Sequence, residues 1–249
     1  MKIGIVQMDV VWQDPEANAA RLLELVSAAE PAQMLILPEL WPVGFTMDKD
    51  AHKAHDFSLA VMKSLAREHN CWVLGGIPAP FEPLQQNCAI WIDPNGQEHA
   101  RYAKRKLFGY GGETGSYSPG DASIVIRAEQ LAFAPLICYE LRFPELARSV
   151  ARNIQLLIYI ASWPKTRRSH WRQLLIARAI ENQLFCIGVN RIGTDGRGLE
   201  YAGDSLVVDP SGTILLDPLA QEGIFVCDID PEQVIQYRAS LPFLDDMTL

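Results

Sequence analysis

Short apolar runs alternate with amphipathic segments along the whole of this chain. Residues 34–37 (Met-Leu-Ile-Leu) and 156–161 (Leu-Leu-Ile-Tyr-Ile-Ala) are unbroken apolar runs, which are typical of strands buried on both faces. Asp14 and Pro15 suit the N-cap and the first position of a helix. The apolar face predicted for that helix recurs at helical spacing and consists of Ala19, Leu22, Leu23 and Val26.

The predicted elements are interleaved over the full length. The predicted strands cover residues 2–8, 34–37, 72–77, 88–92, 98–103, 123–127, 131–138, 156–161, 184–190, 205–208, 213–216 and 223–228. The further helices are predicted at residues 57–69, 143–152, 169–182 and 231–239. No linker or charge block divides the chain, so we expect residues 1–249 to form one α/β domain of stacked layers, with helices outside and sheets inside.

Composition narrows the class of protein. A chain of 249 residues with 49% hydrophobic content is too apolar to be disordered, and its net charge of −8 argues against nucleic acid as a partner. Its apolar runs fall short of the roughly 18 residues that a membrane-spanning helix needs. The first residues lack a secretory pattern, and the five cysteines are widely spaced, without a zinc motif. We therefore expect a cytoplasmic protein with mostly buried free thiols and no membrane partner.

Three polar residues stand where apolar strands are predicted to end. They are Glu39, Lys104 and Cys138, and ligands gather at the carboxyl ends of strands in sheets covered by helices. A thiol needs a base at neutral pH, and a nearby ammonium stabilises the oxyanion of a tetrahedral intermediate. Together the three residues suit thiol-based acyl transfer. Taken singly, each also fits a solvated loop charge, a surface lysine or a core cysteine.

The segments around these residues resemble the three signatures of the nitrilase (carbon–nitrogen hydrolase) superfamily, in order and approximate spacing. The segments are 37–40 (Leu-Pro-Glu-Leu), 104–108 (Lys-Arg-Lys-Leu-Phe) and 138–145 (Cys-Tyr-Glu-Leu-Arg-Phe-Pro-Glu). Further segments that resemble the family are 4–7, 113–120, 161–164, 178–183, 203–205 and 209–212. The resemblance covers nearly the whole chain, and it implies a four-layer α-β-β-α sandwich.

Within the superfamily the chain is most similar to the ω-amidases of the 2-oxoglutaramate type, in segments 41–47, 162–171 and 190–196. This resemblance implies hydrolysis of the terminal carboxamide of small (2-oxo) dicarboxylic acid monoamides to acid and ammonia. Two departures concern the rim of the pocket: Lys106 stands where the family commonly has His, and Glu140 where it commonly has Asp. Hydrolysis of N-carbamoyl compounds or of a nitrile, and a non-catalytic binding or scaffold role, remain alternatives.

The resemblance also assigns roles. Cys138 is the expected nucleophile, and Glu39 is the base that takes its proton and returns one to the leaving ammonia. Lys104 and the backbone N–H of Tyr139 would hold the oxyanion, and Glu113 would orient Lys104. The expected intermediate is a thioester, and neither a metal ion nor an organic cofactor is implied.

The expected substrate contacts are Phe45, Arg142 and Trp163. Arg142 also fits a structural ion pair, and Trp163 also fits the core. Arg142, Lys106 and Arg167 are unranked candidates for meeting a substrate carboxylate. The resemblance further implies a homodimer, and we expect the apolar tail 241–244 to lie along its seam, with a tail folded on its own subunit as the alternative.

Overall fold

Two six-stranded sheets form the centre of the computed structural model, which describes residues 1–247. The first sheet has the strand order β14-β1-β2-β3-β4-β5. Its strands are β1 (Lys2–Gln7), β2 (Met34–Ile36), β3 (Trp72–Ala79), β4 (Gln86–Ile92), β5 (Glu98–Ala103) and β14 (Gly223–Asp228). Strands β1, β2 and β3 are parallel, and the last strand, β14, returns to pair with β1 in antiparallel register.

The second sheet has the order β13-β12-β9-β8-β7-β6, and a separate hairpin joins β10 to β11. The strands are β6 (Ile126–Ala128), β7 (Leu131–Ile137), β8 (Leu156–Ala161), β9 (Phe185–Asn190), β10 (Ile192–Thr194), β11 (Glu200–Ala202), β12 (Leu206–Val208) and β13 (Ile214–Leu216). Because β7, β8 and β9 are parallel, their carboxyl ends meet at one edge of this sheet.

Helices cover the outer faces of both sheets. They are α1 (Pro15–Ser27), α2 (His55–Glu68), α3 (Pro144–Arg148), α4 (Arg168–Asn182) and α5 (Pro231–Ser240). Helix α1 begins as predicted, because the Asp14 carboxylate accepts a hydrogen bond from the N–H of Ala17 at 3.0 Å. Of its predicted apolar face, Leu23 lies outside the core and is 44% exposed.

Apolar side chains fill three spaces between four layers. Between the sheets, the rings of Trp91 and Phe133 meet at 4.6 Å between their centroids. Helices α1 and α2 pack on the first sheet through Leu22 and Met62, and α4 packs on the second through Leu175. The predicted α-β-β-α sandwich is therefore confirmed.

The structure differs from the predicted elements at one helix and at one additional hairpin. The helix predicted at residues 143–152 ends at Arg148, since the chain turns at Val150 and becomes extended at Ile154 to enter β8. Strands β10 and β11 were not predicted, because the residues joining them are mostly glycine and charged residues, which hide any alternation. None of the helices within residues 1–247 has the length and apolar character that crossing a bilayer requires.

The tail after α5 lies on its own chain. The carbonyl of Leu241 accepts a hydrogen bond from Gln183 at 2.7 Å, and that of Leu244 accepts one from Arg152 at 2.6 Å. Leu244 is buried, whereas Phe243 is 63% exposed. These contacts match the alternative of a tail folded on its own subunit, and the homodimer stays a prediction.

Candidate active site

Glu39, Lys104 and Cys138 come together where the two sheets face each other. Lys104 directly follows β5, Glu39 follows β2 by three residues, and Cys138 directly follows β7. Glu39 and Lys104 are fully buried, and Cys138 is 8% exposed. The first sheet thus supplies the carboxylate and the ammonium, and the second supplies the thiol.

The Lys104 ammonium lies between two carboxylates. Its Nζ donates to Glu39 Oε1 at 2.8 Å and to Glu113, whose two oxygens lie at 3.0 and 2.9 Å. Burial opposes the charge on Lys104, but the carboxylates of Glu113 and Glu39 outweigh it and raise the pKa of Lys104 well above its usual value. Lys104 is therefore an ammonium at neutral pH.

Asn87 was not predicted as a site residue, yet it joins both carboxylates. Its Nδ2 donates to Glu39 Oε1 at 2.8 Å and to Glu113 Oε1 at 3.0 Å. Asn87 is fully buried in β4. These are the same two oxygens that accept hydrogen bonds from Lys104. The Asn87 amide therefore holds both carboxylates in place beside the ammonium.

The Glu39 carboxylate and the backbone N–H of Ser162 lie near the thiol of Cys138. The second oxygen of Glu39 accepts the N–H of Ser162 at 2.8 Å. Burial and the charge of Glu39 raise the pKa of the Cys138 thiol well above its usual value. The site therefore places a thiol next to a carboxylate.

Cys138 occupies a strained position on a sharp turn. Its φ is +48°, in the left-handed region that non-glycine residues rarely adopt, and it begins a short 3₁₀ helix, Cys138–Arg142. Such a strand-to-helix turn exposes a nucleophile above the sheet edge. The N–H of Tyr139 belongs to the first turn, whose N–H groups have no acceptor within the helix, and so it can bind an oxyanion.

Gly76 in β3 allows the segment carrying Glu39 to approach the sheet. A Cβ at this position would lie 2.7 Å from the Cα of Glu39 and 2.8 Å from the backbone nitrogen of Leu40. The N–H of Trp41 also bonds to the carbonyl of Gly76 at 3.0 Å. A side chain at residue 76 would therefore push Glu39 away from Lys104.

Glu140 ties the cysteine turn to the lysine segment. One carboxylate oxygen accepts the Tyr102 hydroxyl at 2.7 Å and the N–H groups of Arg105 and Lys106 at 2.8 and 3.2 Å. The other oxygen accepts the N–H of Ile137 at 2.7 Å. Burial raises the pKa of Glu140, although the hydrogen bonds from Tyr102, Ile137 and Arg105 lower it. The departure from Asp thus lies behind the site rather than on the rim of the pocket.

Glu140→Gln is expected to lower the free energy of unfolding by roughly 1–3 kcal/mol. Three of the four partners of Glu140 are backbone N–H groups, which only donate, so the amide N–H₂ of glutamine would face a donor. Urea unfolding followed by fluorescence measures the change. Glu145→Gln, the same change on the exposed first turn of α3, should stay within about 0.5 kcal/mol. An equal, small effect of both variants would contradict the role of Glu140.

A cavity of about 350 Å³ opens onto Cys138. Its wall is largely aromatic and includes Phe45, Phe108, Tyr110, Tyr139, Trp163 and Tyr201. Three arginines, Arg142, Arg167 and Arg197, line it as well. Among the described residues that line the cavity, no side chain is acidic. The cavity therefore suits a small molecule that carries negative charge.

The structure separates the candidates for substrate contact. Phe45 and Trp163 line the cavity, and the Arg142 guanidinium stacks on the Trp163 ring at 4.7 Å rather than in an ion pair. Lys106 is exposed outside the lining, and its ammonium lies over the Phe143 ring at 5.4 Å. Lys106 is therefore the weakest of the three cations considered from the sequence. Arg197 was not among them.

No three His, Cys, Asp or Glu side chains within residues 1–247 are grouped closely enough to hold a metal ion.

Helix α4 supports the segment that carries Cys138. Arg178 pairs with Glu181 at 2.8 Å and donates to the carbonyl of Leu141 at 2.7 Å. The guanidinium thereby fixes the short helix that begins at Cys138.

Comparisons with known proteins agree with this geometry. Residues 2–239 match the model of the carbon-nitrogen hydrolase family. The omega-amidase YafV of Escherichia coli (strain K12) is 33% identical over 99% of this chain and 96% of its own length. The 2-oxoglutaramate amidase of Bacillus subtilis (strain 168) is 31% identical over 98% of this chain and 96% of its own length.

A solved structure matches the whole chain. XC1258 from Xanthomonas campestris, described as a CN-hydrolase superfamily protein with an arsenic adduct in the active site, superposes with a TM-score of 0.93 at 31% identity. The match covers 100% of this chain and 98% of that one, which confirms that the four-layer sandwich is of the nitrilase type. The chain belongs to the carbon-nitrogen hydrolase family and is an enzyme of that family that acts on amides.

Proposed function

We propose that this enzyme hydrolyses the terminal carboxamide of small 2-oxo dicarboxylic acid monoamides, giving the acid and ammonia. The observation that carries the proposal is the thiol of Cys138, which lies near the ion pair of Glu39 and Lys104 at a cavity without acidic lining. The names omega-amidase and 2-oxoglutaramate amidase, given to two relatives of similar length, support the same substrate class.

Acylation begins when Glu39 removes the thiol proton of Cys138 and the sulfur attacks the carboxamide carbon. The carbonyl electron pair moves to oxygen, and Lys104 together with the N–H of Tyr139 stabilises the negative charge that develops there. The intermediate then collapses and its C–N bond breaks. Glu39 gives its proton to the nitrogen, so that ammonia leaves and a thioester remains on Cys138.

Deacylation repeats these roles with water. Glu39 takes a proton from water, and the hydroxyl attacks the thioester carbon. The C–S bond breaks, the sulfur recovers its proton through Glu39, and the acid leaves. Glu113 and Asn87 take no proton in this scheme. Their hydrogen bonds hold Lys104 and Glu39 in place.

The cations of the cavity select the substrate. A 2-oxo dicarboxylic monoamide presents its amide to Cys138 and its carboxylate to the wall of the cavity. Arg142 and Arg167 lie on that wall with their guanidinium groups over Trp163 and Phe108, at 4.7 and 5.8 Å. Planar guanidinium groups bind a carboxylate in bidentate fashion. We therefore assign the substrate carboxylate to the arginine-lined part of the cavity, which also includes Arg197.

A substrate panel tests the proposal. We expect 2-oxoglutaramate and 2-oxosuccinamate to give the highest kcat/KM, measured as ammonia release, with N-carbamoyl amino acids and simple nitriles at least about tenfold lower, because a carboxylate–guanidinium pair contributes about 1.5–3 kcal/mol. Faster turnover of an N-carbamoyl compound or a nitrile would favour those alternatives. If no substrate turns over and an electrophilic amide fails to label Cys138, the enzyme assignment fails in favour of a binding protein.

The biological setting is also a proposal. We propose that residues 1–249 act as one domain and that the enzyme works as a homodimer in the cytoplasm. The support comes from the interleaved strands and helices, the unpaired cysteines and the exposed apolar ring of Phe243.

A further inference from the structure

We infer that Arg197, on the turn between β10 and β11, is a specificity residue that binds the substrate carboxylate at the mouth of the cavity. The inference rests on the proposed amidase function and deepens it, because Arg197 would then select substrates that carry a negative charge. The turn lies outside the segments that carry Glu39, Lys104 and Cys138.

The turn is built rigidly around Asp195. One carboxylate oxygen of Asp195 accepts the N–H groups of Arg197 and Leu199 at 2.9 and 3.0 Å. The other accepts the hydroxyl of Tyr201 at 3.0 Å. Asp195 is 5% exposed, and Gly196 packs so closely on Trp12 that a Cβ would lie 2.4 Å from that ring. The backbone of Arg197 is therefore fixed in one position.

The side chain of Arg197 is held as firmly as its backbone. Its guanidinium lies between two rings, 5.5 Å from the centroid of Trp12 and 5.9 Å from that of Phe45. Its Nη2 donates to the carbonyl of Phe45 at 3.1 Å and lies 3.4 Å from Asp195. A group held in this way loses little conformational entropy when a ligand binds.

Most of the hydrogen-bonding capacity of this guanidinium is unused. Arginine has five N–H donors. Within residues 1–247, the hydrogen bonds of the Arg197 side chain involve Nη2, whereas Nε and Nη1 have no partner. The side chain is 43% exposed and lines the cavity. Nε and Nη1 are thus available to an anion that enters the cavity.

Phe45 places this guanidinium in relation to the reacting centre. The Lys104 ammonium lies 5.3 Å from the centroid of the Phe45 ring, and the Arg197 guanidinium lies against the same ring. Both cations therefore contact the Phe45 ring, which lines the cavity together with Arg197. A short substrate whose amide reaches Cys138 passes along Phe45 and presents its far end to Arg197.

The test compares an anionic with a neutral amide of equal size. We expect Arg197→Gln to lower kcat/KM for glutaramate by about 10- to 100-fold, mainly through KM, because it removes a charged hydrogen-bond donor. For glutardiamide, which carries no charge, the change should stay below about twofold. Arg197→Lys, which keeps the charge, should recover part of the loss. Arg67→Gln, an equal charge change on exposed residue 67 of α2, serves as the matched control.

Binding of glutarate, followed by calorimetry, provides an arm that needs no turnover. Its Kd should rise by about 10- to 100-fold in Arg197→Gln and stay within about twofold in Arg67→Gln. An unchanged Kd, or an equal loss of kcat/KM on both amides, would overturn the inference. A wild-type protein that does not turn over 2-oxoglutaramate but binds glutarate through Arg197 would overturn the proposed function and leave the anion site standing.

Discussion

Replacing Cys138 with alanine is expected to lower kcat by about 10⁴-fold or more, because the reaction then lacks its nucleophile. The variant keeps a Cβ, so the left-handed backbone at residue 138 is no more strained than in the parent. The thermal midpoint should therefore change little. Ammonia release from 2-oxoglutaramate at saturating substrate measures kcat, and calorimetry measures the midpoint.

A second buried thiol supplies the matched control. Cys186 is fully buried in β9, and burial raises the pKa of its thiol well above the usual value. Its side chain lies in the core and does not line the cavity that opens onto Cys138. Cys186→Ala should lower stability and leave kcat within about twofold of the parent. Wild-type turnover by Cys138→Ala would contradict the mechanism.

Lys104→Met is expected to reduce kcat by about 10²- to 10³-fold, or roughly 3–4 kcal/mol, with a much smaller change in KM. The Lys104 ammonium faces charge that is present mainly in the transition state, so its removal affects the chemical step more than binding. Steady-state kinetics on 2-oxoglutaramate separate the two parameters. A variant that altered KM alone would show that Lys104 only binds substrate.

The same substitution leaves two buried carboxylates without their counter-charge, which by itself destabilises the fold by about 3–5 kcal/mol. The double variant Lys104→Met with Glu113→Gln removes one of those negative charges. We expect it to recover much of the thermal midpoint and none of the lost kcat. Recovery of both would mean that Lys104 supports the fold and has no part in stabilising the oxyanion.

The parts of the site that could be predicted from the sequence lie directly beside strand ends. Glu39 and Cys138 each follow an apolar run, Lys104 follows the more polar strand β5, and the order of the strands brings their ends together. The short sequence motifs around these residues are sufficient to indicate the family and its layered fold. Strand and helix positions followed from periodicity, since buried strands and amphipathic helices differ in the spacing of their apolar residues.

Asn87 and Arg197 could not be found in this way. Asn87 lies 48 residues from Glu39 in the chain, and its importance comes from two hydrogen bonds across the sheet that no local pattern reports. Arg197 lies on a glycine-rich turn and reaches the cavity because that turn packs on Trp12. Lys106, which the sequence placed beside the site, is directed away by its contact with Phe143.

The groups proposed to react lie on different sheets, so the activity depends on the cooperative packing of the two sheets. Glu39 and Lys104 extend from the first sheet, whereas Cys138 and Ser162 extend from the second. No fragment that contains one sheet holds all of these groups, so activity requires the two sheets to stay packed against each other. We therefore expect heat inactivation and the loss of packing between the sheets to occur in one transition.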